Sequence, residues 1–240
     1  MSAAGMGSRF REQGFPVSKP FIEVLPGVPM YRWVIDSYGL EPSDVEILIL
    51  RKDEELLAQY GDTFKAVHYL EDVSPGPAFS AMALALMCDP PREGPVIIFD
   101  CDCSAHVDLK YTMTEAVIEG SSGVIAYEDK SGSEEYSFLN NPAKYHSAWR
   151  KTAVFHGLSE KLRISDYINT GCYWFRNVDD MADAFLEAER NRKPYAELPL
   201  SAVINGITRL PLRYFETRQF TNLGTPEHLA EFQRRNEARF

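Results

Sequence analysis

Two short stretches of the chain are apolar at nearly every position. Val45 to Leu50 reads VEILIL and Pro95 to Asp100 reads PVIIFD, both rich in branched residues and bounded by charged or turn residues. Runs of that length without alternation predict strands buried on both faces, as in a largely parallel sheet. Ser122 to Asp129, SGVIAYED, predicts another strand. Amphipathic helical spacing occurs instead in Met30 to Leu40, MYRWVIDSYGL, and in Met181 to Arg192, MADAFLEAERNR. Ala78 to Cys88, AFSAMALALMC, consists of strong helix formers and follows Ser74-Pro75-Gly76-Pro77, a turn that can also start a helix. Strands and helices alternate, so the expected class is α/β: one Rossmann-like domain over residues 1–240, three layers deep around a mostly parallel sheet. From Lys130 to His156 the pattern is poorer, and the expectation is a loop-rich insertion or β-ribbon over about 130–156 that covers a site.

Composition narrows the partners. With 240 residues, 45% of them hydrophobic, the chain can bury a substantial core. Its 35 acidic residues against 25 basic ones give a formal charge of −10, which disfavours nucleic acid as the main partner while leaving room for a small anion held by a few focused cations. Cys88, Cys101, Cys103 and Cys172 are too few and too irregular for a disulfide framework, which fits a reducing, cytoplasmic setting. No run reaches the roughly 18 apolar residues of a membrane span. Nothing in the sequence specifies an oligomeric state.

The densest candidate chemistry opens the chain. Ala3 to Val24 reads AAGMGSRFREQGFPVSKPFIEV. Gly5 and Gly7 let backbone N–H groups approach an anion closely, and Arg9 and Lys19 add side-chain cations. Such a glycine loop ordinarily follows a first strand, yet only Met1 and Ser2 precede Ala3, so either that strand is very short or the natural start lies upstream. A second cluster, Asp100-Cys101-Asp102, ends the PVIIFD strand, where α/β sheets place their ligand crevices. Residues two apart on an extended segment share a face, so both carboxylates could serve one Mg²⁺. Asp108 is a weaker metal candidate whose ordinary reading is a helix cap. Cys101 and Cys103 lack a second Cys/His pair at zinc spacing and read as small strand-end residues. His68, His146, His156 and His228 are scattered and carry no assigned chemistry.

The opening run resembles the signature loop of the nucleotidyltransferases that activate sugar phosphates and phosphocholine: small-small-Gly-x-Gly-x-Arg-Phe, then Gly-aromatic, then Pro-Lys-Pro and a strand. Here AAGMGSRF, Gly14-Phe15 and SKPFIEV stand in that order, with Ser18 where the family usually has proline. Further along, SPGPAFSAMALA (Ser74 to Ala85), SEKLRISDYINTGCYWF (Ser159 to Phe175) and NLGTPEHL (Asn222 to Leu229) resemble the family's later stations. The resemblance implies a nucleotide-diphospho-sugar transferase fold, of the kind glycosyltransferases of GT-A type also use. It implies a nucleotide site from Ala3, Ala4, Gly5, Gly7, Ser8, Arg9, Lys19, Gly76, Ala78 and Asp100, with Arg9 and Lys19 catalytic. It places Mg²⁺ on Asp102, and Asn222 as second ligand where the family often has aspartate. Glu160, Lys161, Gly171 and Tyr173 would meet the acceptor.

The implied reaction is an in-line displacement, in which a phosphate oxygen of a phosphorylated small molecule attacks the α-phosphorus of a nucleoside triphosphate and pyrophosphate leaves. The wording of the motifs is most similar to enzymes of bacterial capsule and surface-polysaccharide synthesis, which favours CTP, then UTP or dTTP. The acceptor stays open between a sugar 1-phosphate and a non-sugar phosphate. Aromatics at Tyr136, Phe138, Tyr145 and Trp149 could line a quaternary-ammonium pocket, with packing of a cover segment the stronger reading. Two rivals use the same Asp-Cys-Asp: a GT-A-type glycosyltransferase holding a metal and a nucleotide-sugar, and a haloacid-dehalogenase-type phosphatase with an aspartate nucleophile. Neither accounts for the glycine loop with Arg9 and Lys19.

Overall fold

A computed structural model describes residues 1–5, 7–88, 93–118, 120–143, 152–193 and 196–236, with the backbone alone at 115–118. The N-terminal part contains helix α1 (Ser8–Glu12), strands β1 (Glu23–Leu25) and β2 (Val28–Pro29), helix α2 (Met30–Ser37), β3 (Glu46–Leu50), α3 (Glu54–Tyr60) and β4 (Ala66–Leu70). There follow α4 (Pro77–Met87), β5 (Val96–Phe99), β6 (Cys103–Ser104), α5 (Leu109–Ile118), β7 (Ser122–Glu128), β8 (Ser137–Leu139), β9 (Thr152–Phe155) and β10 (Leu158–Glu160). The C-terminal part has β11 (Tyr167–Phe175), α6 (Val178–Arg190), α7 (Leu200–Asn205), β12 (Leu212–Thr217), β13 (Thr221–Asn222) and α8 (Pro226–Asn236). The apolar runs and helical stretches recognised in the sequence become β3, β5, β7, α2, α4 and α6.

The sheet is mixed. β3 and β4 are parallel, and Ser2 forms parallel bridges to both Leu48 and Asp100, so the first residues act as a very short strand between β3 and β5. Backbone bonds from Ala3 N to Leu48 O (2.9 Å) and from Ser2 N to Phe99 O (3.3 Å) fix that position. Beyond β5, the long β11 runs antiparallel to β5 and β7, β12 is parallel to β7, and β9 closes the order antiparallel to β12. The parallel expectation therefore describes the half that carries the opening loop, and β11 is the antiparallel hub that joins it to the rest. β8 and β10 form an antiparallel ribbon attached to β11 through Ile168 and Phe138; β8 lies within the 130–156 stretch read as insertion or ribbon and β10 just beyond it, while β9, also within it, joins the sheet beside β12. His146, Tyr145 and Trp149 lie outside the described residues.

Both faces of the sheet are covered, for the reason visible in VEILIL. Alternate residues of a strand point to opposite faces. Leu48 and Leu50 enter one buried cluster with α4, α6 and α7, whereas Ile47 and Ile49 enter another with α2, α3 and α5. A strand with no polar face is stable only between two apolar layers, which gives the expected three-layer build. A third cluster joins Phe10, Ile22, Val24 and Met30 to Leu223 and Leu229, so the opening loop is seated on the C-terminal segment. Among the described residues no helix is long and apolar enough to cross a membrane, and all four cysteines are free thiols.

The loops leading into β8 and β11 are tied together by one buried carboxylate. Asp129, 6% exposed, accepts bonds from Arg163 Nη1 (2.8 Å), Ser131 N (3.1 Å) and Ser131 Oγ (3.0 Å), while Arg163 Nη2 also reaches Asp129 O (2.8 Å). Burial pushes this carboxyl up, but the bonds from Arg163 and Ser131 outweigh it and hold it below the usual range. A depressed carboxylate stabilises the fold in full above its unfolded value of about 4, and that contribution is lost as the pH falls through the folded value. Asp129→Asn is expected to cost about 2 kcal/mol at neutral pH and to flatten the acid limb of stability below pH of about 4. Urea titrations across pH check both; a variant with the wild-type acid slope would contradict the assignment.

Candidate active site

Lys19 forms an ion pair with Asp102 Oδ2, and the pair stands where two cavities meet. The first cavity, about 360 Å³, is bounded by Gly5, Gly7, Ser8, Arg9 and Lys19 on one side and by Ser74, Gly76, Ser80 and Glu197 on another. The second, about 270 Å³, is lined by Tyr136, Ser137, Glu160, Asn169, Gly171, Tyr173 and Asn222. Arg9, Lys19, Asp100, Asp102 and Gly224 border both. Two ligands could thus sit side by side with their reacting ends at one cluster of charges.

Local sequence explains how the loop reaches this point. Gly7 has φ 57°, a left-handed conformation natural to glycine, and there the chain turns into α1; a Cβ on it would lie 3.0 Å from Lys19 Cβ. Lys19 opens a single 3₁₀ turn with Pro20 behind it. The departure at Ser18 has a structural counterpart: its hydroxyl donates to Asp53 Oδ1 at 2.8 Å, and Asp53 is 3% exposed. A hydrogen bond to a buried carboxylate fixes the turn that proline rigidity would otherwise fix. Arg9 is exposed on α1, with no ion-pair partner among the described residues.

Asp100 follows β5 directly, and its N–H donates to Gly171 O at 3.0 Å. Gly171, at φ 80° in an irregularity of β11, lies so close that a Cβ would collide with Cys103 Sγ and stand 2.8 Å from Asp100 Oδ2. Burial, and then the charge of Asp102, push the Asp100 carboxyl well above the usual range. For Asp102 burial acts in the same direction, but Lys19 reverses it and keeps the group ionised. Lys19 is correspondingly raised by Asp102 against its own burial. One carboxylate of the two therefore carries the firm negative charge, and it belongs to Asp102.

The donor set fits a hard divalent cation. Ligand atoms of Asp100, Asp102 and Cys103 lie within 4.8 Å of one another. Gly224 completes a cradle: a Cβ there would stand 3.0 Å from Asp102 Oδ2 and 2.9 Å from Asn222 Oδ1. Asn222 is paired opposite Cys103 between β13 and β6, and its Oδ1 accepts from Gly224 N at 2.8 Å. Carboxylate and amide oxygens of this kind suit Mg²⁺, which keeps waters and substrate phosphates in its remaining positions. Asp108 is elsewhere, capping α5 by accepting from Tyr111 N at 3.0 Å.

Other residues singled out in the sequence divide. Gly76 borders the first cavity, and its missing Cβ lets Leu198 N approach; Ala78 N bonds Leu198 O at 3.1 Å. Ala3, Ala4 and Ala78 are buried and border neither cavity, so they pack beneath the loop and helix. Glu160 borders the second cavity and accepts from the hydroxyls of Ser137 and, at 2.8 Å, Ser201. Lys161 is exposed at φ 53° and borders neither cavity. Of the aromatics, Tyr136 lines the second cavity, while Phe138 is fully buried with the Arg163 guanidinium 5.4 Å from its ring centre. Sequence reasoning gave Tyr136 a pocket only as its weaker reading and missed Glu197, Asn169 and Phe220; Asn169, directly before the Thr-Gly-x-Tyr run, was the one with a local signal.

Comparison with known proteins adds the fold. A nucleoside-diphosphate-sugar pyrophosphorylase from Vibrio cholerae RC9 superimposes with a TM-score of 0.72 at 20% identity, over 97% of this chain and 98% of that one. A UTP-bound UGPase from Acinetobacter baumannii gives 0.72 at 13% identity, over 100% and 92%. A UDP-glucose pyrophosphorylase complexed with UDP-glucose gives 0.75 at 14% identity, over 100% and 97%. The chain has their fold. No protein-family model and no curated protein matches it.

Gly171→Ala is expected to destabilise the protein by roughly 2 kcal/mol or more through backbone strain and collision. Gly14→Ala provides the control, because Gly14 has φ 82° with nothing within 4 Å of its would-be Cβ. Denaturant midpoints of the two variants separate contact from strain; equal losses would show that the close approach to Asp100 is not the constraint.

Proposed function

We propose that this protein is a nucleotidyltransferase that moves a nucleoside monophosphate from a pyrimidine nucleoside triphosphate to a sugar 1-phosphate or similar small phosphate, releasing pyrophosphate. The observation that carries the reading is the pair of cavities meeting at Lys19 and Asp102. A transfer between two anions needs both held at one charged wall, and a hydrolase or a lone binding protein has no use for the second chamber. The names of the similar structures, which include UTP-bound and UDP-glucose complexes, agree with such substrates. The sequence resemblance puts CTP first and surface-polysaccharide precursors as the product class.

Within this reading the triphosphate lies in the first cavity, with its phosphates against the Gly5 to Ser8 turn, Arg9 and Lys19, and its nucleoside toward Ser74, Gly76 and Ser80. The acceptor occupies the second, against Glu160, Gly171 and Tyr173. Lys161 would contribute only to an acceptor long enough to reach beyond the cavity. An ionised phosphate needs little help from a base, so the residues act by alignment and by neutralising charge on the α-phosphoryl and leaving groups. Even without Asp100, four carboxyl groups, Asp102, Glu135, Glu160 and Glu197, border the cavities against the cations Arg9 and Lys19. An anionic substrate is repelled by that balance unless a divalent cation enters with it. Asp102, Asn222 and Asp100 would hold Mg²⁺, which supplies the missing positive charge at the phosphates.

The test is pyrophosphate release with Mg²⁺, each of CTP, UTP, dTTP, GTP and ATP being offered with and without a pool of sugar 1-phosphates, phosphocholine and phosphorylated alcohols. Release with a pyrimidine triphosphate only when the pool is present is the expected result. Lys19→Ala is expected to lower turnover by about 10²–10³. A folded Lys19→Ala enzyme with near-full turnover removes the role given to that lysine. Silence with every triphosphate, together with sugar transfer from a nucleotide-sugar, would replace the reading with the glycosyltransferase alternative.

A further inference from the structure

A second constellation of metal-binding side chains lies away from both cavities of the candidate active site. Glu46 on β3, His68 on β4 and Cys88 at the end of α4 place one ligand atom each within 4.8 Å of the others. His68 Nε2 is 2.9 Å from Glu46 Oε2 and 3.8 Å from Cys88 Sγ, so one nitrogen faces both partners. We propose that Glu46, His68 and Cys88 form a binding site for a thiophilic divalent transition metal of the zinc class, with a fourth position left for water or another ligand.

The geometry is close to what such an ion requires. Tetrahedral zinc with bonds of about 2.1 Å to nitrogen and oxygen and about 2.3 Å to sulfur sets ligand atoms roughly 3.3–3.7 Å apart. The sulfur–nitrogen separation needs to shrink slightly and the nitrogen–oxygen one to widen by a few tenths of an ångström, changes within reach of side-chain rotation. Glu46 is already oriented for the task, because its other oxygen, Oε1, accepts from Lys65 Nζ at 2.7 Å. All three side chains are partly buried, and Glu46 and Cys88 border a cavity of about 430 Å³ that gives an ion a way in.

Chemistry separates this site from the one at Asp102. A thiolate and an imidazole bind Zn²⁺ or Co²⁺ and disfavour Mg²⁺, whereas carboxylate and amide oxygens do the reverse. The ion would join β3, β4 and the C-terminal end of α4, on the far side of α4 from the Gly76 turn. A structural clamp on the helix that starts at the first cavity is the role such a position supports. Nothing local in the sequence marks it, since each ligand stands 20 or more positions from the next.

Cobalt reports thiolate coordination directly. The full chain is titrated with Co²⁺ and read for the near-ultraviolet sulfur-to-cobalt charge-transfer band and the intense visible bands of four-coordinate cobalt; Zn²⁺ is then added in competition. One equivalent with both signals, displaced by Zn²⁺ and untouched by excess Mg²⁺, is expected. Cys88→Ser should abolish the charge-transfer band and weaken binding on the order of 100-fold, His68→Gln should weaken it comparably, and Cys103→Ser and Asp102→Asn should leave the signal in place. Zn²⁺ should raise the melting temperature of the wild type and of Asp102→Asn but not of Cys88→Ser. Absence of a thiolate band in the wild-type protein overturns the proposal without reference to any variant. Loss of the band in Cys103→Ser with retention in Cys88→Ser overturns it equally, by placing the ion at the Asp100 and Asp102 cluster.

Discussion

The ion pair between Lys19 and Asp102 is the contact on which the arrangement of the site depends. It joins the glycine-containing loop, which is seated from below by Phe10 and Ile22, to the end of a strand fixed by the sheet. Each partner is kept charged by the other against the cost of burial. With the two side chains 19% and 21% exposed, the pair's clearest effect is to fix the loop against the end of β5. The same pair borders both cavities, so the contact that seats the loop stands where the proposed reaction would bring its two ligands together.

A second constraint on the site is steric. β11 passes Asp100 and Cys103 so closely that position 171 has no room for a side chain. On one side of that point the edge of β11 pairs with β5, and on the other it meets β8. Gly171, within the irregularity of the β11–β7 pairing, stands between those two contacts, and Asn169, Gly171 and Tyr173 line the second cavity there. Backbone irregularities in strands commonly sit beside ligand sites.

These features differ in how far the sequence revealed them. VEILIL and PVIIFD declared themselves as strands because burial on both faces removes any polar alternation, and the Asp100 and Asp102 pair followed from the two-residue repeat of an extended chain. The glycine loop was legible because glycine and cationic residues at close spacing have few other uses. The ribbon of β8 and β10 was not resolved beyond its general location, since three-residue strands carry too few positions for a period to show. Glu197 reaches the first cavity only because Leu198 lies against the Gly76 turn, a contact between residues more than a hundred positions apart, which no local pattern encodes. Ser18 shows the reverse case. It reads as a lost proline in the sequence, and the compensating partner, Asp53, is visible only in three dimensions.

Charge completes the account. A chain with a formal charge of −10 is a poor general attractant for a triphosphate, and the carboxylates around the two cavities make the local balance no better. Under the proposed function such a surface would gain selectivity from its own repulsion: an anion arriving without a cation would be disfavoured, while one that brings a divalent ion would meet Asp102 and Asn222. Arg9, exposed on α1, would then meet an approaching complex whose net charge has been reduced. On the proposed reading the acidic composition and the glycine loop serve one end: affinity would rest on the metal complex of the ligand and would be withheld from the bare anion.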